Sequence, residues 1–173
     1  MKKINTPLTK EDLKSLKSGD EVLLSGTIYV ARDQAHKRLV SALSSGKKPP
    51  FDLRNAVIYY CGPTAAPKGR VIGSCGPTTA SRMDAFTPAL LNKGVAAMIG
   101  KGRRSKDVTA AIKRCRAVYF LAYAGCGALI AGFVKDAAPV AYKELGPEAI
   151  IKLEVKDLPL IVGIDSHGKD IYA

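Results

Sequence analysis

Four short stretches of the chain combine residue types able to hold an anion or move a proton. In Ala-Arg-Asp-Gln-Ala-His-Lys-Arg (31–38), Arg32 and His36 stand four residues apart. On a helix they share a face with Leu39 and Leu43, while Gln34, Lys37, Arg38, Ser41 and Ser45 turn to solvent. His36 is thereby directed inward or at a partner. A histidine so placed can carry a proton near neutral pH, and an arginine one turn earlier can fork onto a carboxylate or phosphate. The alternative is an Arg32–Asp33 pair beside a hydrogen-bonded core histidine, and taken alone the pattern favours that alternative. In Gly-Pro-Thr-Thr-Ala-Ser-Arg-Met-Asp (76–84), Thr78 and Arg82 repeat the same spacing at an expected helix start. A hydroxyl, free backbone amides and a guanidinium there describe an oxyanion or carboxylate pocket, compatible with a plain capped turn. Ile-Gly-Lys-Gly-Arg-Arg-Ser (99–105) sets Lys101 between two glycines but lacks the phosphate-loop pattern, so a solvated basic turn is its alternative. Asp165-Ser166-His167-Gly168 reads as a turn.

Arg32, Arg82 and Lys101 together could hold both ends of one doubly negative molecule, and a dicarboxylate fits, since arginine binds in a planar fork and lysine as a point charge. No set of metal ligands, nucleotide fingerprint or serine–histidine–acid motif accompanies them. The binding half of a site is present, and the activating electrophile is missing.

The elements that must position these residues alternate between periods. Thr9 and Asp12 open a short helix that Gly19 stops, Glu21–Val30 is a strand and Arg32–Ser45 a helix. Two further strands, Ala56–Cys61 and Arg70–Cys75, both end in Cys-Gly-Pro-Thr. A helix over Thr79–Asn92 breaks near Thr87-Pro88, and then strand Val95–Ile99, helix Ser105–Cys115, strand Ala117–Tyr123 and helix Ala128–Lys135 follow in βαβ order. Val140-Ala141 begins a strand, Pro147 a helical turn, and Leu160–Ile164 is the last strand. No linker divides the chain, so residues 1–173 form one mixed α/β domain with its chemistry at strand ends.

Composition narrows the class. With 173 residues, 47% apolar and 24% charged, the chain is a globular domain and not a disordered one. The formal charge of +12 calls for an acidic counterpart. Dispersed cations and no tryptophan argue against nucleic acid as that counterpart. Cys61, Cys75, Cys115 and Cys126 are spaced by 14, 40 and 11 residues, without a metal-binding pair. They read as reduced thiols of a cytoplasmic protein. The beginning of the chain lacks the apolar stretch of a secretory signal. The 18-residue uncharged run Ala117–Val134 is broken at Gly125 and Gly127, so it reads as strand, turn and helix and not as a membrane span.

The motifs at 31–38, 76–84 and 99–102, with Ser-Gly-Thr-Ile-Tyr-Val before the first, Pro-Phe-Asp-Leu (50–53), Tyr-Tyr-Cys-Gly-Pro-Thr (59–64) and Leu-Gly-Pro-Glu-Ala-Ile (145–150), span nearly the whole chain. Together they resemble the β subunit, or equivalent C-terminal domain, of class I fumarate hydratases and L(+)-tartrate dehydratases. The resemblance implies a swivelling β/β/α fold and reversible hydration of fumarate to (S)-malate, or dehydration of L-tartrate to oxaloacetate. It also implies a four-iron, four-sulfur cluster carried by an α subunit, within an oligomer, so that this chain is incomplete alone. By motif, Arg32, Arg82 and Lys101 match the carboxylate clamp, Thr78 the residue that moves the C3 proton, and His36 the active-site histidine. Of the two, His36 is the easier proton carrier, because an unassisted threonine hydroxyl is far too weak a base. Cys75 and Ala124-Gly-Cys-Gly-Ala128 depart from the family pattern and leave open a thiol near the cluster.

Overall fold

Apolar residues in the central strands are buried on both sides, and the alternation of side chains divides them between two cores. In a computed structural model describing residues 1–173, the elements are β1 (Lys2–Asn5), α1 (Lys10–Ser15), β2 (Glu21–Val30), α2 (Asp33–Ser44), β3 (Val57–Tyr59), a 3-10 turn (Ala80–Met83), α3 (Thr87–Asn92), β4 (Ala97–Gly100), α4 (Lys106–Cys115), β5 (Val118–Leu121), α5 (Gly127–Ala131), β6 (Val134–Ala141), a second 3-10 segment (Lys143–Glu148) and β7 (Ile150–Ile164). Strands β2, β3, β4 and β5 lie side by side in parallel, and β7 runs antiparallel to both β5 and β2. The sheet therefore closes into a five-stranded barrel, with β1 added to β2 and β6 to β7.

The long β2–β7 pair can follow this curve because its register slips between Leu24 and Gly26, where Gly26 has φ +103° and Asp157, on the facing strand, φ +53°. Val57, Tyr59, Ile99, Val118 and Phe120 fill the inner core. Their neighbours Ile58, Tyr60, Met98 and Tyr119 pack outward with Leu39 of α2, Leu90 of α3 and Ile112 of α4. The capping box at Thr9 forms as expected, Thr9 accepting from the Asp12 amide at 3.1 Å and donating its own amide to the Asp12 carboxylate at 2.9 Å.

Several expectations are corrected. Arg70–Cys75 is an irregular loop and not a strand, because its apolar residues Ile72 and Cys75 cap the inner core at the barrel end instead of entering the ladder. The helix expected over Thr79–Asn92 is a 3-10 turn followed by the six-residue α3, with Pro88 in the first turn of the latter. The helix expected over Ala128–Lys135 ends at Ala131, and the edge strand β6 starts at Val134. Strand β7 begins ten residues before Leu160, and β1 is an additional strand. No helix is long and apolar enough to cross a membrane.

Candidate active site

Parallel strands deliver their following residues to one end of the barrel, and there the backbone is clipped strand to strand. Ala31 N–H donates to Tyr59 O at 3.1 Å and Tyr60 N–H to Ile99 O at 2.8 Å, which sets Arg32, Cys61-Gly62 and Lys101 in one row. The returning segment 77–80 is inserted between them. Pro77 bridges Cys61, Thr78 N–H donates to Tyr60 O at 2.7 Å, Lys101 N–H to Thr78 O at 3.3 Å and Ala80 N–H to Lys101 O at 2.9 Å. Gly100 permits this, since a Cβ there would lie 2.9 Å from Tyr60 Cδ2 and 3.0 Å from Ala80 Cβ. The amides of Thr78 and Ala80 are thus engaged by carbonyls, and the expected helix start is a 3-10 turn.

Arg32 and Arg82 converge on one carboxylate. Arg82 forks onto Asp33 through Nε and Nη2, both at 2.9 Å, and Arg32 Nε reaches Asp33 Oδ2 at 3.1 Å. Arg32 Nη2 meets Glu148 at 3.1 Å, and the Gln34 amide donates to the same carboxylate at 3.0 Å. Burial alone would raise the Asp33 pKa, but its own amide and the two guanidinium groups outweigh this and hold it below the usual carboxylate range. Arg32 is about a quarter exposed and Arg82 half exposed. Lys101 is half-buried and has no carboxylate within ion-pair distance. Three cations and two anchored carboxylates leave the group net positive, and Thr78, joined to Lys101 through the backbone, is half-exposed.

His36 is enclosed behind this group. It is fully buried, with Nδ1 3.2 Å from Arg32 O, its ring edge-on to Tyr60 and Nε2 without a partner. Burial, aided by nearby Arg104, depresses its pKa to about 4. The ring is neutral at pH 7.

Arg104, read from sequence as part of a solvated basic turn, is buried with no exposed side-chain surface. Its Nε meets Asp84 at 2.7 Å, its Nη2 donates to Thr87 Oγ1 at 2.8 Å, and its guanidinium lies 5.3 and 4.9 Å from the Tyr60 and Tyr119 ring centres. Asp84 also accepts the Ser105 amide at 2.7 Å. This cluster locks the loop carrying Lys101 to the segment carrying Arg82. Gly62 is a second residue without a sequence signal of its role, since a Cβ there would lie 2.5 Å from Arg32 Nη1. Arg104, Gly62 and Glu148 all sit in stretches already singled out, but local sequence carried no sign of these contacts.

No three His, Cys, Asp or Glu side chains converge as a metal site, so the donors of this chain do not fit an iron–sulfur cluster. Cys61 and Cys75 are both buried in the inner core, and their mutual influence raises the pKa of Cys61 and lowers that of Cys75. All four thiols are free.

The model of the "Fumarase C-terminus" family matches residues 2–173. The chain belongs to that family. It is 43% identical over 171 residues to a provisionally named L(+)-tartrate dehydratase subunit beta of Methanocaldococcus jannaschii, covering 95% of this chain and 88% of that one. It is 36% identical over 180 residues to the L(+)-tartrate dehydratase subunit beta of Escherichia coli, covering 100% and 88%. To the aerobic class I fumarate hydratase of the same bacterium it is 39% identical over 174 residues, covering 98% of this chain but 32% of that enzyme. The chain therefore spans most of the β subunits and about a third of the fumarate hydratase. Within this family fold, the end of the barrel gathers Arg32, Arg82 and Lys101 with the hydroxyl residue Thr78, groups able to bind carboxylates.

Proposed function

We propose that the chain is the β subunit of a hydro-lyase that interconverts fumarate and (S)-malate, supplying the dicarboxylate clamp. The observation that carries this reading is the convergence of Arg32 and Arg82 on Asp33 at the strand ends that also bring in Lys101 and Thr78. One substrate carboxylate is taken by the guanidinium pair and the other by Lys101. Asp33 and Glu148 hold the arginines in fixed orientation, so little ordering is needed on binding.

Thr78 Oγ1 exchanges the C3 proton in this reading. In hydration the hydroxyl gives its proton to C3 and regains one from a neighbouring acid, in dehydration the two transfers reverse, and Lys101, whose backbone is bonded to that of Thr78, is assigned the part of that acid. His36 remains neutral and supports the site through the Arg32 carbonyl. The Lewis acid is a four-iron, four-sulfur cluster on an α subunit, with which this chain forms an oligomer.

L-tartrate dehydration to oxaloacetate is the second reading, favoured by near full-length matches to tartrate dehydratase β subunits. Anaerobic reconstitution with the α subunit, followed by turnover of fumarate, malate and L-tartrate, tests both. Turnover is expected only in the complex, and the preferred substrate chooses between the readings. Activity of the isolated chain, or none on any of the three by an iron-loaded complex, would overturn the proposal.

A further inference from the structure

The backbone between Gly62, which lies against Arg32, and Thr78, which is bonded to Lys101, loops outward from the clamp. Beside it runs 122–132, which leaves the barrel where the Ala122 amide donates to Gly100 O at 2.9 Å. The two segments are knitted together. Cys75 N–H donates to Gly127 O at 3.1 Å, and a Cβ on Gly127 would lie 2.3 Å from Ser74 Oγ and 2.8 Å from Gly76 N. Val71, Tyr123 and Leu129 on these segments are 48%, 44% and 65% exposed, whereas the remaining exposed large apolar residues, Met1, Ile171 and Tyr172, are at the two termini. A cleft of about 370 Å³ opens between Pro67, Val71, Ile72, Ala128 and Ala131.

Charge on this surface has one sign. No Asp or Glu occurs from residue 53 to 83 or from 108 to 135, and Lys68 and Arg70 border the apolar residues. An exposed apolar patch with a cationic rim, rooted at both ends in a substrate clamp, fits a macromolecular contact.

We infer that this surface, loop 63–76 with 122–132, docks the α subunit, through an apolar contact on that subunit with carboxylates around it. The inference rests on the β-subunit reading. The occupant follows from two facts. In the fumarate hydratase of Escherichia coli the matching unit is 32% of one longer polypeptide, so the rest of that polypeptide stands where a separate subunit stands here. A molecule held by the clamp must also receive its activating group from outside this chain, and these two segments leave the barrel beside the clamp residues.

The test compares binding of the wild-type protein, Leu129→Asp, Val71→Asp and Lys14→Glu to the α subunit, with turnover by each complex. Lys14 is on α1, which packs near the opposite ends of β4 and β5. The wild type and Lys14→Glu are expected to bind within about twofold of one another, and the two aspartate variants about thirty-fold or more weaker. All three variants change exposed side chains, and unchanged melting temperatures and circular dichroism establish that they fold. Amide exchange in 63–76 and 122–132 is expected to slow in the complex. Wild-type affinity in folded Leu129→Asp and Val71→Asp overturns the docking face while leaving the β-subunit reading intact. A wild-type protein that neither binds nor activates the α subunit overturns both. Self-association of the isolated protein that is lost on Leu129→Asp assigns the face to a second copy and overturns the inference.

Discussion

Replacing Arg104 with methionine tests whether a cluster invisible in the sequence holds the clamp together. The guanidinium has no exposed surface and Asp84 is only 14% exposed, so the charge pair is largely withdrawn from water. Methionine fills much of the volume but leaves the carboxylate with the Ser105 amide at 2.7 Å as its remaining strong partner. It also removes the cation from between Tyr60 and Tyr119. Breaking a buried pair on one side costs about 3–5 kcal/mol, and the residual exposure of Asp84 places this case at about 3 kcal/mol. For a protein of this size that corresponds to a fall of about 6–12 °C in melting temperature. Urea unfolding of the purified protein, followed by circular dichroism, should show an earlier midpoint at unchanged slope. Adding Asp84→Asn should recover part of the loss, because the stranded charge is gone. A loss below about 1 kcal/mol, or strict additivity in the double variant, refutes the argument. In the reconstituted enzyme Arg104→Lys keeps the charge but not the two-pronged attachment, and KM should rise more than kcat falls.

Other perturbations separate binding from folding. Arg82→Ala and Lys101→Ala each remove a charged partner of a substrate carboxylate, and steady-state kinetics should record a loss of about 10–150-fold in kcat/KM. Gly62→Ala pushes against the Arg32 guanidinium at 2.5 Å and more gently against the Pro147 carbonyl at 3.2 Å, so KM should rise; an unchanged KM would place Arg32 outside the clamp. Gly127→Ala meets Gly76 backbone and should destabilise by about 1–3 kcal/mol in chemical denaturation. His36 has a folded pKa of about 4 against an unfolded value near 6.5. The unfolded state therefore binds the extra proton between these values, and stability is full above about pH 6.5 and falls as pH drops toward 4, by roughly 3 kcal/mol. Stability measured across that range should lose part of its slope in His36→Gln, and an identical slope would show that His36 does not titrate as described.

The sequence by itself determined the βαβ order, the capping box at Thr9 and the positions from which Arg32, Thr78, Arg82 and Lys101 depart, because periodicity, glycine punctuation and helix capping are local properties. It also placed His36 on the inward side of α2 with Leu39, since that follows from angle alone. Only tertiary structure decided that β7 pairs with both β2 and β5 and closes the ring. The same closure turned Arg70–Cys75 from a strand into a cap over the barrel end. It also decided which charges are buried: Arg104 and Arg103 are neighbours in one basic run, yet only Arg104 meets Asp84 and two tyrosines from other elements. Burial and partnering of a charge depend on residues remote in the sequence, and for that physical reason local pattern does not contain them.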